Sequence, residues 1–203
     1  MSRVDVRKTY KLYIGGEFPR SESGRSYPAL DARGRVVARV AQASRKDLRD
    51  AVRHARNAQA SWAARSGYNR GQILYRVAEM IEDRFETFVS QVQVTDPDRR
   101  RARREVTEAI DTIVWYAGWA DKFAQIYGNL NPVAGPFFNI SAPEPTGVVG
   151  IVAPQDSALL GLVSRLSAVL VSGNTAVVIA SESRPMPAVT LAEVLATSDV
   201  PPG

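Results

Sequence analysis

Two short segments carry residue types that do chemistry at the spacing a ligand site needs. The first is Ala153-Pro154-Gln155-Asp156-Ser157, directly after an apolar run that ends in Val152. The second is Ser181-Glu182, just after an apolar run that ends in Ile179. If both runs are strands of one parallel sheet, these residues share a rim at the carboxyl ends of the strands. Open α/β sheets gather ligands there, beside helix N-termini whose amides favour anions. A carboxylate on that rim accepts hydrogen bonds from ribose hydroxyls. The turn has no GxGxxG, so it is not the glycine-rich pyrophosphate cradle. Plainer readings stand beside these: Asp156 or Ser157 as a cap for the following helix, and Glu182 as a solvated loop glutamate.

Other chemistry is sparse. The 203 residues contain no cysteine, which removes disulfides, thiolate metal ligands and a cysteine nucleophile from within them. The single histidine, His54, lies among Arg and Asn residues without a second histidine nearby, and reads as a surface or boundary residue. Trp62, Trp115 and Trp119 fall on helical stretches and read as packing anchors rather than a cofactor box.

The elements that must position the rim follow from periodicity. The runs Val148–Val152 and Thr175–Ile179 are continuously apolar, as strands buried on both faces are. A helix over 157–171 lies between them, Ser172-Gly173-Asn174 closes it, and a last helix follows over 187–196. That order is βαβα, the opening of a parallel, Rossmann-like sheet. Upstream, Gly15-Gly16 is a two-residue hairpin turn between short strands, Ser23-Gly24 and Arg33-Gly34 mark further turns, and a strand spans 36–40. Ser44 with Asp47 forms a capping box before a helix whose apolar face is Leu48, Val52, Ala55, Gln59 and Trp62. A long helix over 69–94 ends before Pro97, and another runs over 99–127 with Gly128 as its cap. From 129 to 145 the helical period vanishes among Pro132, Gly135 and Pro136, which predicts an extended arm or hairpin.

Composition narrows the classes. Hydrophobic residues make up 45% and charged residues 23%, the balance of a folded globular chain. The longest apolar stretch, 158–171, is broken by Gly161, Ser164 and Arg165 and is too short to cross a bilayer. Met1-Ser2-Arg3-Val4-Asp5 lacks the apolar segment of a signal peptide, and with the missing cysteine this favours the cytoplasm. The net charge of +5 is uneven: residues 123–203 hold two arginines against five carboxylates. The densest cluster, Arg99, Arg100, Arg101, Arg103 and Arg104, has no stacking aromatics interleaved, and reads as a solvated helix face rather than a nucleic-acid surface.

The segments LYIGGEF (12–18), DLRDAVRHARNAQASWA (47–63), YNRGQILYRVAEMIE (68–82), WYAGWADK (115–122), EPTGVVGIVAP (144–154), SGNTAVVI (172–179), ASES (180–183) and DVPPG (199–203) occur in an order and spacing that resemble the N-terminal portion of the NAD(P)-dependent aldehyde dehydrogenase superfamily. The resemblance implies an N-terminal helical and strand part of a nucleotide-binding domain over 1–127. It implies an oligomerisation arm over 128–143 and an incomplete Rossmann-like βαβα part over 144–203. It places cofactor on Val152, Pro154, Gln155, Asp156, Ile179, Ser181 and Glu182.

Two departures from the family pattern bear on that expectation. The family's Pro-Trp-Asn stands here as Pro154-Gln155-Asp156. In the family that asparagine helps hold an oxyanion, and an ionised Asp156 would put negative charge where negative charge develops. The family's Lys-Pro-Ser-Glu stands here as Ile179-Ala180-Ser181-Glu182, so the ribose-binding lysine is replaced while the glutamate remains. NAD binding is therefore expected to be weak or vestigial, with NAD favoured over NADP because Glu182 repels a 2′-phosphate.

The family's catalytic cysteine and general-base glutamate correspond to positions beyond residue 203, which gives no catalytic residue here. The expectation is a non-catalytic or truncated aldehyde dehydrogenase-family chain. It would assemble through 128–143 with itself or with a full-length aldehyde dehydrogenase. Two alternatives stand: the N-terminal part of a working NAD-dependent enzyme, and, more remotely, a basic nucleic-acid adaptor.

Overall fold

A computed structural model describes residues 8–202; Met1–Asp5 and Gly203, which enter the sequence reading above, lie outside them. The chain begins with β1 (Thr9–Tyr10), β2 (Ser26–Leu30) and β3 (Val36–Ala41), arranged in the order β1-β3-β2. Strand β3 pairs parallel with β1 and antiparallel with β2. The sequence reading missed β2 because it contains Pro28; on an edge strand the missing amide hydrogen costs no ladder bond. Gly15 and Gly16, with φ of 62° and 79°, make the expected tight turn, but the short strands expected on either side reduce to a single isolated bridge between Ile14 and Glu17.

Helix α1 (Arg45–Ala63) starts at the capping box: the Ser44 hydroxyl accepts from the Lys46 and Asp47 amides, and the Asp47 carboxylate accepts from the Ser44 amide. Burial tends to raise the Asp47 pKa. Hydrogen bonds from Ser44, Ser21 and Glu22 outweigh it and hold the group below its ordinary value. The inner face of α1 is narrower than its periodicity suggests. Ala55 and Trp62 are buried, but Leu48 and Val52 are exposed.

The expected helix over 69–94 is two helices, α2 (Gly67–Asp83) and α3 (Phe85–Gln93), broken at Arg84, where φ −101° and ψ 20° leave helical geometry. The apolar stripe continues through the break, which is why periodicity alone cannot see it. Likewise 99–127 divides into α4 (Arg99–Ala117) and α5 (Phe123–Tyr127), separated by a turn. The core lies where α2, α3, α4, α6 (Leu160–Val171) and α7 (Met186–Thr197) meet, around Ile81, Phe88, Val106, Ile113 and Leu159.

Strands β4 (Asn129–Leu130) and β5 (Ile140–Ser141) form an antiparallel hairpin with exposed Phe137 and Phe138 between them. Then β6 (Val148–Val152) and β7 (Thr175–Ile179) pair in parallel around α6, giving the expected βαβα order. Their start is fixed by Asn174, whose side-chain oxygen accepts from the Gly147 amide at 2.8 Å, and their side by Thr175, whose hydroxyl donates to the Ala55 carbonyl of α1 at 2.9 Å. Trp62 anchors α1 to α6 through Nε1 donating to the Leu170 carbonyl at 3.0 Å. Burial on both faces of β6 and β7 is not what the structure shows: Ile151 is buried, but Val152 and Ile179 are 70% and 54% exposed. Among the described residues, no helix is long and apolar enough to cross a membrane.

Candidate functional site

The two strand ends come together as the sequence predicts. Val152 lies opposite Ile179, and the ladder runs one bond further, from the Ala153 amide to the Ile179 carbonyl at 2.9 Å. The chain then turns at Pro154. That turn packs against α6 so closely that a Cβ on Gly161 would come within 2.3 Å of the Pro154 ring, so only glycine fits. The rim is therefore a fixed feature of the fold, with Ala153, Ala158 and Leu159 buried beneath it.

Gln155 sits across both strand ends. Its Oε1 accepts from the Ser181 hydroxyl at 2.8 Å, the Ser183 hydroxyl at 2.8 Å and the Ser183 amide at 3.2 Å. Arg184 closes the same gap from the other side, its Nη1 donating to the Asp156 main-chain carbonyl at 2.9 Å. The Arg184 amide donates to the Ser181 hydroxyl at 3.1 Å. Glu182 stands exposed between these tethered neighbours. It faces β2 closely enough to act on Tyr27, whose pKa is raised first by burial and then by the charge of Glu182. The N-terminal sheet reaches this position because Met186 and Val189 of α7 pack into its small core with Ala29, Ala38 and Val40.

The N-terminus of α6 differs from expectation. Neither Asp156 nor Ser157 is its cap residue; the helix starts three residues after Ser157, at Leu160. Its free amides are met from α4: Glu105 Oε1 accepts from Leu159 at 3.0 Å, from Leu160 at 3.2 Å and from the Ser157 hydroxyl at 3.3 Å. Ser157 in turn accepts from the Gly161 amide at 3.0 Å. A carboxylate at the positive end of a helix is the favoured partner there, and it fills the place a phosphate would take. Sequence reasoning could not find Glu105, which is 52 residues from Ser157 and inside the arginine-rich stretch.

The rim thus offers two exposed carboxylates, Glu182 and Asp156, beside apolar Val152 and Ile179. Ser181 and Ser183 are hydrogen-bond donors to Gln155, a structural use of both hydroxyls. Among the described residues, no group of three or more His, Asp or Glu side chains could hold a metal ion. His54 is exposed and lies against Gly15. Trp62 is the packing anchor expected, whereas Trp115 is 57% exposed and meets Tyr116 and Trp119 edge-on or tilted. Three arginines of the cluster pair with carboxylates outside α4: Arg99 and Arg103 with Glu86 of α3, and Arg101 with Asp96 just before α4.

Comparison with known proteins gives these positions a setting. The model of the aldehyde dehydrogenase family matches residues 20–203. Aldehyde dehydrogenase family 2 member B4, mitochondrial, of Arabidopsis thaliana is 33% identical over 98% of this chain and 37% of its own length. Retinal dehydrogenase 2 of Mus musculus is 31% identical over 98% of this chain and 39% of its own. Among solved structures, the NAD+ complex of an aldehyde dehydrogenase from Bacillus cereus is similar over 96% of this chain and 40% of that one, with a TM-score of 0.89 at 26% identity. The chain therefore spans about 40% of the length of the relatives it matches.

Proposed function

Because the chain belongs to the aldehyde dehydrogenase family, we propose that its strand-end rim is the adenosine side of a nicotinamide-dinucleotide site that binds NAD weakly through Glu182. The observation that carries this is the exposed Glu182 carboxylate, held between two tethered residues at the carboxyl end of a parallel strand pair. A carboxylate there accepts ribose hydroxyls and repels a 2′-phosphate, which favours NAD over NADP. The fit is partial. Ile179 offers no donor where the family's lysine would stand, a loss of roughly 1.5–3 kcal/mol, or about one to two decades of affinity. Glu105 already occupies the α6 N-terminus, so no phosphate is held by that helix. Val152, Pro154, Gln155, Asp156, Ile179 and Ser181 line the same rim.

In the family's reaction NAD supplies the hydride acceptor for aldehyde oxidation. These 203 residues contain no cysteine, so a thiolate nucleophile has to come from outside them. Asp156 beside the strand end also opposes the build-up of negative charge that acyl chemistry requires. The chain's own role in this reading is to bind the dinucleotide and to assemble, through the 128–143 hairpin, with another copy or with a full-length aldehyde dehydrogenase in the cytoplasm. The arginine cluster, three of whose members pair with carboxylates, has no stacking aromatics interleaved, which disfavours nucleic acid. A second reading, the leading part of a working enzyme, is favoured by the fold's close likeness to the Bacillus cereus aldehyde dehydrogenase in complex with NAD+, at a TM-score of 0.89.

Calorimetric titration with NAD and NADP tests the assignment. Weak NAD binding, weaker NADP binding, and loss of the preference in Glu182→Ala are expected. Tight NAD binding indifferent to Glu182→Ala would place the site elsewhere.

A further inference from the structure

Resting on the dinucleotide reading above, we propose that Gln155 is a positioning residue: it clasps the β7–α7 loop to the β6–α6 turn and thereby sets where Glu182 meets the ribose of the ligand. The residues on either side of Glu182 both end on a single atom, Gln155 Oε1, at 2.8 Å from each serine hydroxyl. The Ser183 main-chain amide, which can only donate, points to the same oxygen at 3.2 Å, and this fixes the orientation of the side-chain amide. A carbonyl oxygen has two lone pairs, so three donors exhaust it. That oxygen has no capacity left for a ligand, so through this contact Gln155 acts on the ligand by placing Glu182, and its Nε2 donors stand outside the clasp.

The clasp is asymmetric in a useful way. Ser181 is 1% exposed and belongs to the fold, while Glu182 and Ser183 are exposed. Without an acceptor at position 155, the buried Ser181 hydroxyl keeps the Arg184 amide as a partner. Ser183 has its amide released to water, and its hydroxyl keeps only the 3.4 Å contact with the Ser181 hydroxyl. The segment carrying Glu182 then gains freedom that the ligand must remove on binding, and affinity falls by that ordering cost.

Two variants separate this from simple packing. Gln155→Leu keeps the volume and removes the acceptor; Gln155→Glu keeps an acceptor. Amide hydrogen exchange of the 203-residue chain, read by NMR, should show Ser183 exchanging about tenfold faster in Gln155→Leu and near the parent rate in Gln155→Glu. The Ala153 amide, bonded to the Ile179 carbonyl, should be unchanged in both. Unchanged Ser183 protection in Gln155→Leu, or equal loss in the two variants, would overturn the clasp. NAD affinity supplies the second arm. Gln155→Leu should weaken binding by about tenfold in the parent and by less than about twofold when Glu182 is already alanine. Equal losses in both backgrounds would overturn action through Glu182. If the parent chain does not bind NAD, the dinucleotide reading fails and the ribose role with it, while the exchange result judges the clasp on its own.

Discussion

The helical core and the β6–β7 sheet are drawn from equally apolar sequence, yet one is sealed and the other is open. Ile81, Phe88, Val106 and Leu159 have no measurable exposure, because α2, α3, α4 and α6 cover one another within the chain. Val152 and Ile179, at the ends of the most continuously apolar runs, face solvent. The difference teaches that an apolar pattern states what must be covered and not what covers it. A helix carries its partner-facing stripe wherever it goes, whereas a strand depends on neighbours on two faces and two edges. The half that carries the rim presents its apolar strand ends to solvent.

Mutations can sharpen that contrast. Phe88→Ala should cost about 3–5 kcal/mol of unfolding free energy, because a sealed site cannot collapse around the lost ring. Ile179→Thr, on the open sheet, should cost less than about 0.5 kcal/mol by the same denaturant titration. Comparable losses at the two sites would break the comparison. Next in size, Phe137→Asp with Phe138→Asp should weaken self-association by roughly 2–3 kcal/mol in sedimentation over a dilution series, since exposed aromatic rings are the anchors of interfaces. Stability in the monomer should not change. A monomer at micromolar concentration before mutation would remove the hairpin from the account.

Glu105→Gln keeps an acceptor at the α6 N-terminus and removes the charge. It should destabilise by about 0.5–1 kcal/mol, and Glu105→Ala by about 1–2 kcal/mol. If Glu105→Gln also lets phosphate protect α6 amides from exchange, the carboxylate was indeed filling an anion position. The smallest effect concerns Tyr27. Its raised pKa is due first to burial and then to the Glu182 charge, so Glu182→Gln should bring the phenol partway back towards its ordinary value in a spectrophotometric titration. An unmoved Tyr27 would place Glu182 away from β2.

Much of this was readable from residues alone. The βαβα order, the Gly15-Gly16 turn, the Ser44–Asp47 capping box and the pairing of the β6 and β7 ends all follow from local pattern or from topology. What stayed hidden depends on contacts distant in sequence. The break at Arg84 lies inside an uninterrupted apolar stripe. Glu105 reaches α6 from another helix, and Gln155 finds its partners 26 and 28 residues away. Strand β2 was obscured by Pro28, whose edge position only the sheet order reveals. The exposure of Trp115 and Val152 was equally invisible, since periodicity reports an apolar face without its covering.

The most direct measurement is a titration of the ¹⁵N-labelled chain with NAD, followed by the amide signals of individual residues. Shifts should concentrate at Ala153, Gln155, Asp156 and residues 181–184, saturate weakly, and largely vanish in Glu182→Ala, while the 128–143 hairpin stays still. Shifts centred on any other surface, or an unchanged pattern in Glu182→Ala, would contradict the assignment of the β6–β7 rim as the dinucleotide site.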